Sequence, residues 1–443
     1  MGERERKPVD RGATTTLSFL RELLCDYHPR DFEVRLRDGS CWTPEPGQFR
    51  RFTWQVNDPT ILRTAILSAN EVDLGRAYIH GAFEIDGDLE AAFRLGDHLL
   101  NKKWTTKEKL RLGSWALRLP LHPEEGLGRL RGRVHSQERD QQVVAYHYDV
   151  SNEFYELWLD RAMVYSCAYF RSPTDDLDTA QAQKLDHCCR KLRLQHGDRL
   201  LDIGCGWGGL VLHAARKYGV RALGVTLSWQ QQKLAQQRIE AAGLADRCEV
   251  RLVDYRALEG EGVFDKIASI GMVEHVGESH LAEYFRQVHR LLRPGGVFLN
   301  HGIGNAGNRP KAARPTFTDV YVFPDGELCP IATMLGYAED AGFRVCDVEN
   351  LREHYTMTLR HWLRRLEAHG EQARQIVCET KYRIWRLYLA GSAHYFRTGR
   401  LDLYQSLLLK SAAGESGLPL TREDWYQNSR NEYSTQPKAL VED

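Results

Sequence analysis

The segment Arg199-Leu-Leu-Asp-Ile-Gly-Cys-Gly-Trp-Gly-Gly209 constrains the fold more than any other stretch of the chain. A short apolar run ending in closely spaced glycines reads as a buried strand feeding a tight turn, because glycine lacks a Cβ and lets backbone approach a ligand. The following residues extend the pattern. Positions 210–218 have helical character and are closed by Gly219, and 221–225 form a second strand. Ser228 with Gln231 three residues on predicts a capping box for a helix that runs to Ala242 and stops at Gly243. Strands are expected at 249–253 and 265–270, a helix at 282–292, a turn at 293–296 and a strand at 297–300. Five such units in series predict an α/β fold with a Rossmann-like sheet.

The spacing of Asp202, Gly204, Gly206 and Gly208 narrows the ligand. D-x-G-x-G-x-G differs from the dinucleotide fingerprint G-x-G-x-x-G. A carboxylate two residues before the first glycine can approach the ammonium of a methionine moiety and would repel a pyrophosphate. The pattern therefore predicts a class I S-adenosylmethionine-dependent methyltransferase domain. The second strand ends in Thr226-Leu-Ser228 without an acidic residue for the ribose hydroxyls. Gln231, or the backbone of Thr226 and Leu227, is the expected substitute, against the plainer reading of Gln231 as a cap alone. Asp254 and Tyr255 fall where the adenine lies in such sheets, or serve only as turn residues.

A chain of 443 residues exceeds what one core usually serves, so two domains are expected. A smaller α+β unit is read at 1–117, with strands at 32–36 and 51–56, a turn at Asp38-Gly39, and a helix at 89–100. Another helix should open after Asp58-Pro59 with Ile61, Leu62, Ala65 and Ile66 on one face. Leu119-Pro-Leu-His-Pro-Glu-Glu-Gly-Leu-Gly128 concentrates helix breakers and marks a linker at 118–142, leaving 143–443 as the catalytic domain. Between Lys102 and Arg139 ten basic residues face four acidic ones, a surplus of six. That run is either a solvated linker or a patch for an anionic surface such as phospholipid headgroups.

Lys and Arg total 60 and so do Asp and Glu, which argues against a general nucleic-acid binder. No apolar run is long enough to span a bilayer, and the charged amino terminus lacks a secretory signal, so a cytoplasmic protein is expected. The ten cysteines are scattered without C-x-x-C pairs, which suits reduced thiols. No metal-binding pattern occurs, so no metal is expected.

Five blocks then carry a resemblance. Tyr146-His-Tyr-Asp-Val-Ser-Asn-Glu-Phe-Tyr155, Tyr165-Ser-Cys-Ala-Tyr-Phe170, Leu201 to Gly209, Gly271-Met-Val-Glu-His-Val-Gly277 and His301-Gly-Ile303 resemble the signature blocks of cyclopropane-fatty-acyl-phospholipid synthases and mycolic acid cyclopropane synthases. The match is ordered from about 142 to the last helices. The preceding unit resembles the extra amino-terminal domain of the phospholipid-acting branch.

The resemblance implies transfer of a methylene from S-adenosylmethionine to a cis double bond in a phospholipid acyl chain. It places Tyr165 and Ser166 at the cofactor. A bicarbonate ion would serve as base, held by Cys167, Glu274, His301, the backbone of Ile303 and Tyr355. Each has a plainer reading alone: Cys167 as a small core residue, His301 as a strand-end histidine, Glu274 as a helix-start acid. Tyr165, Tyr169, Phe170, Trp207, Tyr321, Tyr355, Trp362, Trp385 and Tyr388 are candidate aromatic faces for a carbocation, against the plainer reading of most of them as packing residues. Some relatives carry a cysteine where Ser392 stands, so covalent catalysis from that position is not expected.

A lipid substrate implies peripheral contact with the inner face of an anionic membrane. Leu359, Trp362, Leu363 and Leu366, opposite Arg360, Arg364 and Arg365, form one stripe that either touches lipid or packs on the sheet; Tyr382, Trp385, Tyr388 and Leu389 form another. A homodimer is left open. The rivals are a branching fatty acid methyltransferase, a small-amine N-methyltransferase like the plant alkaloid enzymes this domain also resembles, and a lipid carrier with a degenerate site.

Overall fold

A computed structural model describes residues 11–58, 70–102, 105–106, 151–305, 315–324 and 326–426. The helix expected after Asp58, the linker at 118–142 with nearly all of the basic run, and 146–150 of the first signature block lie outside the described residues.

At the amino-terminal end, α1 (Arg11–Leu23) precedes β1 (Phe32–Leu36), β2 (Cys41–Trp42) and β3 (Phe52–Val56), followed by α2 (Glu71–Ile79), β4 (Phe83–Gly87) and α3 (Leu89–Asn101). The four strands lie in the order β2-β1-β3-β4, with β1 and β3 parallel and both outer pairs antiparallel. Phe52, Trp54 and Val56 are buried while Thr53 and Gln55 are less so, the alternation of a strand with one covered face. Asp88 starts α3 by accepting from the Ala91 N–H at 2.9 Å, as an N-cap should.

The larger sheet follows α4 (Asn152–Glu156) and α5 (Leu177–Lys191). Its strands are β5 (Arg199–Ile203), β6 (Arg221–Thr226), β7 (Cys248–Leu252), β8 (Phe264–Ile270), β9 (Leu292–Asn305), β10 (Arg344–Asn350) and β11 (Leu401–Leu409). Helices α6 (Gly209–Tyr218), α7 (Trp229–Ala241) and α8 (Leu281–Leu291) connect the early strands; α9 (Phe317–Tyr321), α10 (Ile331–Asp340), α11 (Arg352–Ala368), α12 (Gly370–Arg397) and α13 (Glu423–Tyr426) complete the chain. The sheet order is β10-β11-β9-β8-β5-β6-β7, with β11 antiparallel to both neighbours and the other pairs parallel. From β5 the chain winds outward to β7, then crosses back to β8. The direction of winding therefore switches between β5 and β8, and at such a point ligands bind at the carboxyl ends of the strands.

This is the expected α/β Rossmann-like sheet, enlarged by β10 and β11. Two local expectations need correction. The turn expected at 293–296 is an irregularity inside β9: the register against β8 shifts between Phe264 and Lys266, and the Gly295 N–H donates to Lys410 O on the following residue of the β11 edge. Pairing on both sides holds those residues in the sheet. At the start of α7 only half of the capping box forms. Ser228 Oγ accepts from the Gln231 N–H at 3.3 Å, but Gln231 Oε1 accepts from Thr226 Oγ1 at 2.7 Å instead of returning to the Ser228 N–H. That N–H donates to Thr226 Oγ1 at 3.2 Å.

The helical stripes offered for lipid contact are core. Leu359, Trp362, Leu363, Leu366, Tyr382, Trp385 and Leu389 are all buried, and Tyr388 packs against them. Of the three arginines opposite the first stripe, two are engaged: Arg360 forks onto Glu90 at 2.7 and 2.8 Å, and Arg365 reaches Asp178 at 2.6 Å. One continuous core runs from Phe32, Phe52 and Trp54 of the small sheet to Trp158, Trp362 and Trp385. Arg397 joins Arg360 on Glu90, and Arg386 donates to the Tyr78 hydroxyl at 2.7 Å, so α12 is fastened to the amino-terminal unit. Among the described residues no helix is long and apolar enough to cross a membrane.

Gly208, at the N-cap of α6, has φ 76°, and a Cβ there would stand 3.2 Å from the Ala235 Cβ on α7. Gly208→Ala should therefore lower stability by about 1–2 kcal/mol for the left-handed backbone alone. Thermal unfolding should show a lower midpoint, and a variant as stable as the parent would contradict this packing.

Candidate active site

The end of β5 is tied to β6, because the N–H groups of Gly204 and Cys205 both donate to Val225 O at 3.0 Å. This leaves Gly206, with φ 54° and no atom within 4 Å of a Cβ built on it, facing open space. The cleft there is lined by Tyr165, Ser166, Asp202, Gly204, Gly206, Thr226, Leu227, Gln231, Asp254 and Tyr255. Gly208 was expected with them and is absent from that lining; its glycine serves helix packing. Asp254 accepts from the Arg256 N–H at 2.9 Å and pairs with the Arg256 guanidinium at 2.6 Å, so it is a turn residue as well as a wall of the cleft. Lys184, Arg256, Met272 and His275 also line the cleft and were not anticipated. A lysine in mid-helix gives no signal in sequence that it is buried.

Next to this cleft stands a second polar group. Ile270, Gly271 and Met272 wall the cleft, and Glu274 follows in the short 3₁₀ turn Val273–His275. His301 lies opposite Ile270 in the β8–β9 register. The N–H of Ile303, expected to face an ion directly, donates to Glu274 Oε1 at 2.7 Å and so orients that carboxyl. Gln405 Nε2 lies 3.1 Å from His301 Nδ1, which leaves the proton of a neutral imidazole on Nε2. Glu274 Oε2 and His301 Nε2 are buried and have no hydrogen-bond partner among the described residues. Cys167 is fully buried with Sγ 3.1 Å from Ala168 O, and the Ala168 N–H is held by Thr358 of α11 at 3.0 Å. Tyr355, one turn before Thr358, packs between Phe396 at 4.7 Å and Trp362 at 6.0 Å.

The aromatic candidates divide. Tyr165 lies 5.2 Å from Trp362 and 5.5 Å from Trp158, in a cluster that includes Trp385 and Tyr155. Trp207 donates to Asn152 Oδ1 at 2.8 Å and packs 5.0 Å from Tyr155. Tyr388 belongs to the same wall, with Tyr165 and Ser392 beside its phenol. Tyr169, Phe170 and Tyr321 do not join this wall. Tyr169 stacks between His187 and His354, Phe170 stacks on His361, and Tyr321 packs on Phe317 in a separate cluster.

Residues 135–406 match the profile of the mycolic acid cyclopropane synthetase family. The chain belongs to that family. A probable fatty acid methyltransferase of Pseudomonas putida is 42% identical over 398 residues, covering 89% of this chain and 96% of that protein. The cyclopropane-fatty-acyl-phospholipid synthase of Escherichia coli is 34% identical over 372 residues, covering 83% and 90%. The solved structure of mycolic acid cyclopropane synthase CmaA1 complexed with SAH and CTAB superposes with a TM-score of 0.58 at 35% identity, over 60% of this chain and 97% of that one. The protein is thus an S-adenosylmethionine-dependent methyltransferase that modifies lipid.

Electrostatics in this family member are set by burial. Burial pushes the Asp202 carboxyl up to about 7, against a downward pull from Lys184. Glu274 is likewise pushed up to about 7 by burial, with the Ile303 N–H drawing it back. His301 is held well below its ordinary value, by burial first and then by Lys184 and Lys191, so its ring is neutral. Burial raises the Cys167 thiol, which therefore stays protonated and is no nucleophile.

A methionine ammonium set against Asp202 would favour the ionised carboxylate, whereas burial alone holds it protonated below about pH 7. Affinity for S-adenosylhomocysteine should rise with pH up to about 7 and level off above it, with proton uptake by buffer on binding at lower pH. Calorimetry in buffers of different ionisation heat reads this directly; constant affinity across that range would remove Asp202 from the ammonium.

Proposed function

We propose that this enzyme transfers a methylene from S-adenosylmethionine to a cis double bond of an unsaturated phospholipid acyl chain, forming a cyclopropane fatty acid. The observation that carries the reading is the pair of buried, unpartnered polar atoms, Glu274 Oε2 and His301 Nε2, beside the cofactor cleft. In an apolar surround such atoms are costly unless a polar group meets them.

The alkene π electrons attack the sulfonium methyl carbon, the C–S bond breaks toward sulfur, and a carbocation forms on the acyl chain. Loss of a proton from the transferred carbon leaves its C–H electron pair to close the ring. An alkene is a weak nucleophile, so this chain's part is to align it, to exclude water, and to face the cation with aromatic rings. Trp158, Trp362, Trp385 and Tyr165 form a wall suited to that work.

A bicarbonate ion fits the donor set. Glu274 Oε2 and the His301 Nε2 proton would hold it, with Cys167 and Tyr355 as the further contacts the resemblance implies. When bound, the ion supplies a base for the departing proton. Ile303 contributes by fixing Glu274.

A second reading, methyl branching of the same olefin, is favoured by the 42%-identical Pseudomonas putida relative named as a probable fatty acid methyltransferase. Both readings begin with the same attack and differ in the fate of the cation.

Glu274→Gln should abolish turnover while S-adenosylhomocysteine still binds, whereas Ser392→Ala should keep most of the activity. The assay is the gain of one CH₂ by acyl chains in phospholipid vesicles, read by mass spectrometry. Unchanged product from Glu274→Gln, or a folded but dead Ser392→Ala, would overturn these roles. The basic run from Lys102 to Arg139 is proposed to meet anionic headgroups at the inner face of the membrane. Vesicle flotation should then weaken as salt rises, and flotation equally strong at high salt would contradict it.

A further inference from the structure

Helix α5 buries a polar face. Gln181, Lys184, Cys188 and Lys191 are all inaccessible, at spacings of three and four residues. Gln181 Nε2 donates to the backbone oxygens of Val164 and Ser166 at 3.2 and 2.8 Å, which fixes the segment carrying Tyr165, Ser166 and Cys167. Lys184, 1% exposed, donates to Ser166 Oγ at 2.9 Å. That is its one hydrogen bond among the described residues, although an ammonium has three N–H donors.

A buried cation with unused donors requires a partner. Asp160 makes no hydrogen bond or ion pair with Lys184 among the described residues; its two oxygens accept from the N–H groups of Ala162 and Val164 at 2.7 and 2.9 Å. Asp202 acts on Lys184 electrostatically, but no hydrogen bond or ion pair joins them among the described residues. Its carboxylate, too, accepts no hydrogen bond among those residues, and both groups line the cofactor cleft. The cleft wall thus carries one amine and one carboxyl group, each with bonding capacity left over, and the Ser166 hydroxyl beside the amine.

We propose that Lys184, with the Ser166 hydroxyl it holds, seats the carboxylate of the methionine moiety while Asp202 takes the ammonium, so that the methyl donor is recognised as a zwitterion. The inference rests on the reading that this cleft binds S-adenosylmethionine. Lys184 touches the carboxylate directly and also acts through Ser166, whose hydroxyl accepts from the ammonium and is left to donate its own proton to the ligand. A charge-assisted pair in a buried site is among the stronger polar contacts a protein makes.

The test compares two probes by calorimetry: S-adenosylhomocysteine, and its decarboxylated analogue, which keeps the amine and lacks only the carboxylate. The parent enzyme should prefer the former by about tenfold or more. Lys184→Met should erase most of that preference by weakening S-adenosylhomocysteine alone, and Lys184→Arg should restore part of it. Ser166→Ala keeps every buried charge and so guards against misfolding of the lysine variant; it should reduce the preference by roughly threefold. Equal binding of both probes by the parent enzyme, an equal loss of both in Lys184→Met, or an unreduced preference in Ser166→Ala overturns the assignment. Failure of the parent enzyme to bind either probe would instead sink the cofactor reading, and the assignment with it.

Discussion

Two carboxyl groups buried at the carboxyl edge of a parallel sheet set the terms for everything around them. Asp202 ends β5 and Glu274 follows β8, on the two strands that flank the switch point. An ionised carboxylate taken out of water costs several kcal/mol unless it is met by donors or an opposite charge. Lys184 meets the first only at a distance, and a single backbone N–H meets the second. Both groups are consequently held near neutrality, ready to ionise when a ligand supplies the missing partner.

The surrounding architecture keeps water away from these groups. Helices α11 and α12 are core on the faces that their amphipathic pattern offered to lipid, and the tryptophans they carry close over Tyr165 and Trp158. The small amino-terminal sheet contributes to the same apolar cluster, and the helices beside it grip α12 through Glu90 and Tyr78. An apolar enclosure suits the proposed carbocation, which any ordered water would trap. The same enclosure raises the cost of every unpaired polar atom inside it, which is why Glu274 Oε2 and His301 Nε2 stand out.

Much of this was legible in the chain. The glycine turn after Leu200-Leu-Asp-Ile, with strands and helices alternating behind it, led to the sheet, and ten of the eleven cofactor residues read from sequence line the cleft. Gly208 was read with them but stands outside the lining, because a glycine needed for helix packing looks the same in sequence as one needed for a ligand. Strand β10 escaped because its exposure follows no clean alternation, and β11 because it returns from beyond two long helices to pair antiparallel. Lys184 was invisible for a different reason. Burial of a charge is decided by the packing of α5 against the 164–167 segment, a tertiary fact that local pattern does not encode. The two aromatic stripes were left open between lipid and core for the same reason, since amphipathicity reports a buried face without naming what buries it.

The most direct measurement supplies S-adenosylmethionine labelled with carbon-13 in its methyl group to the enzyme and vesicles of cis-unsaturated phospholipid, then locates the label by NMR. A labelled carbon resonating upfield as a ring methylene, with loss of the neighbouring olefinic signals, is the expected result. Label found as a methyl or exomethylene branch would contradict ring closure, and label found only on an amine would contradict transfer to the acyl chain altogether.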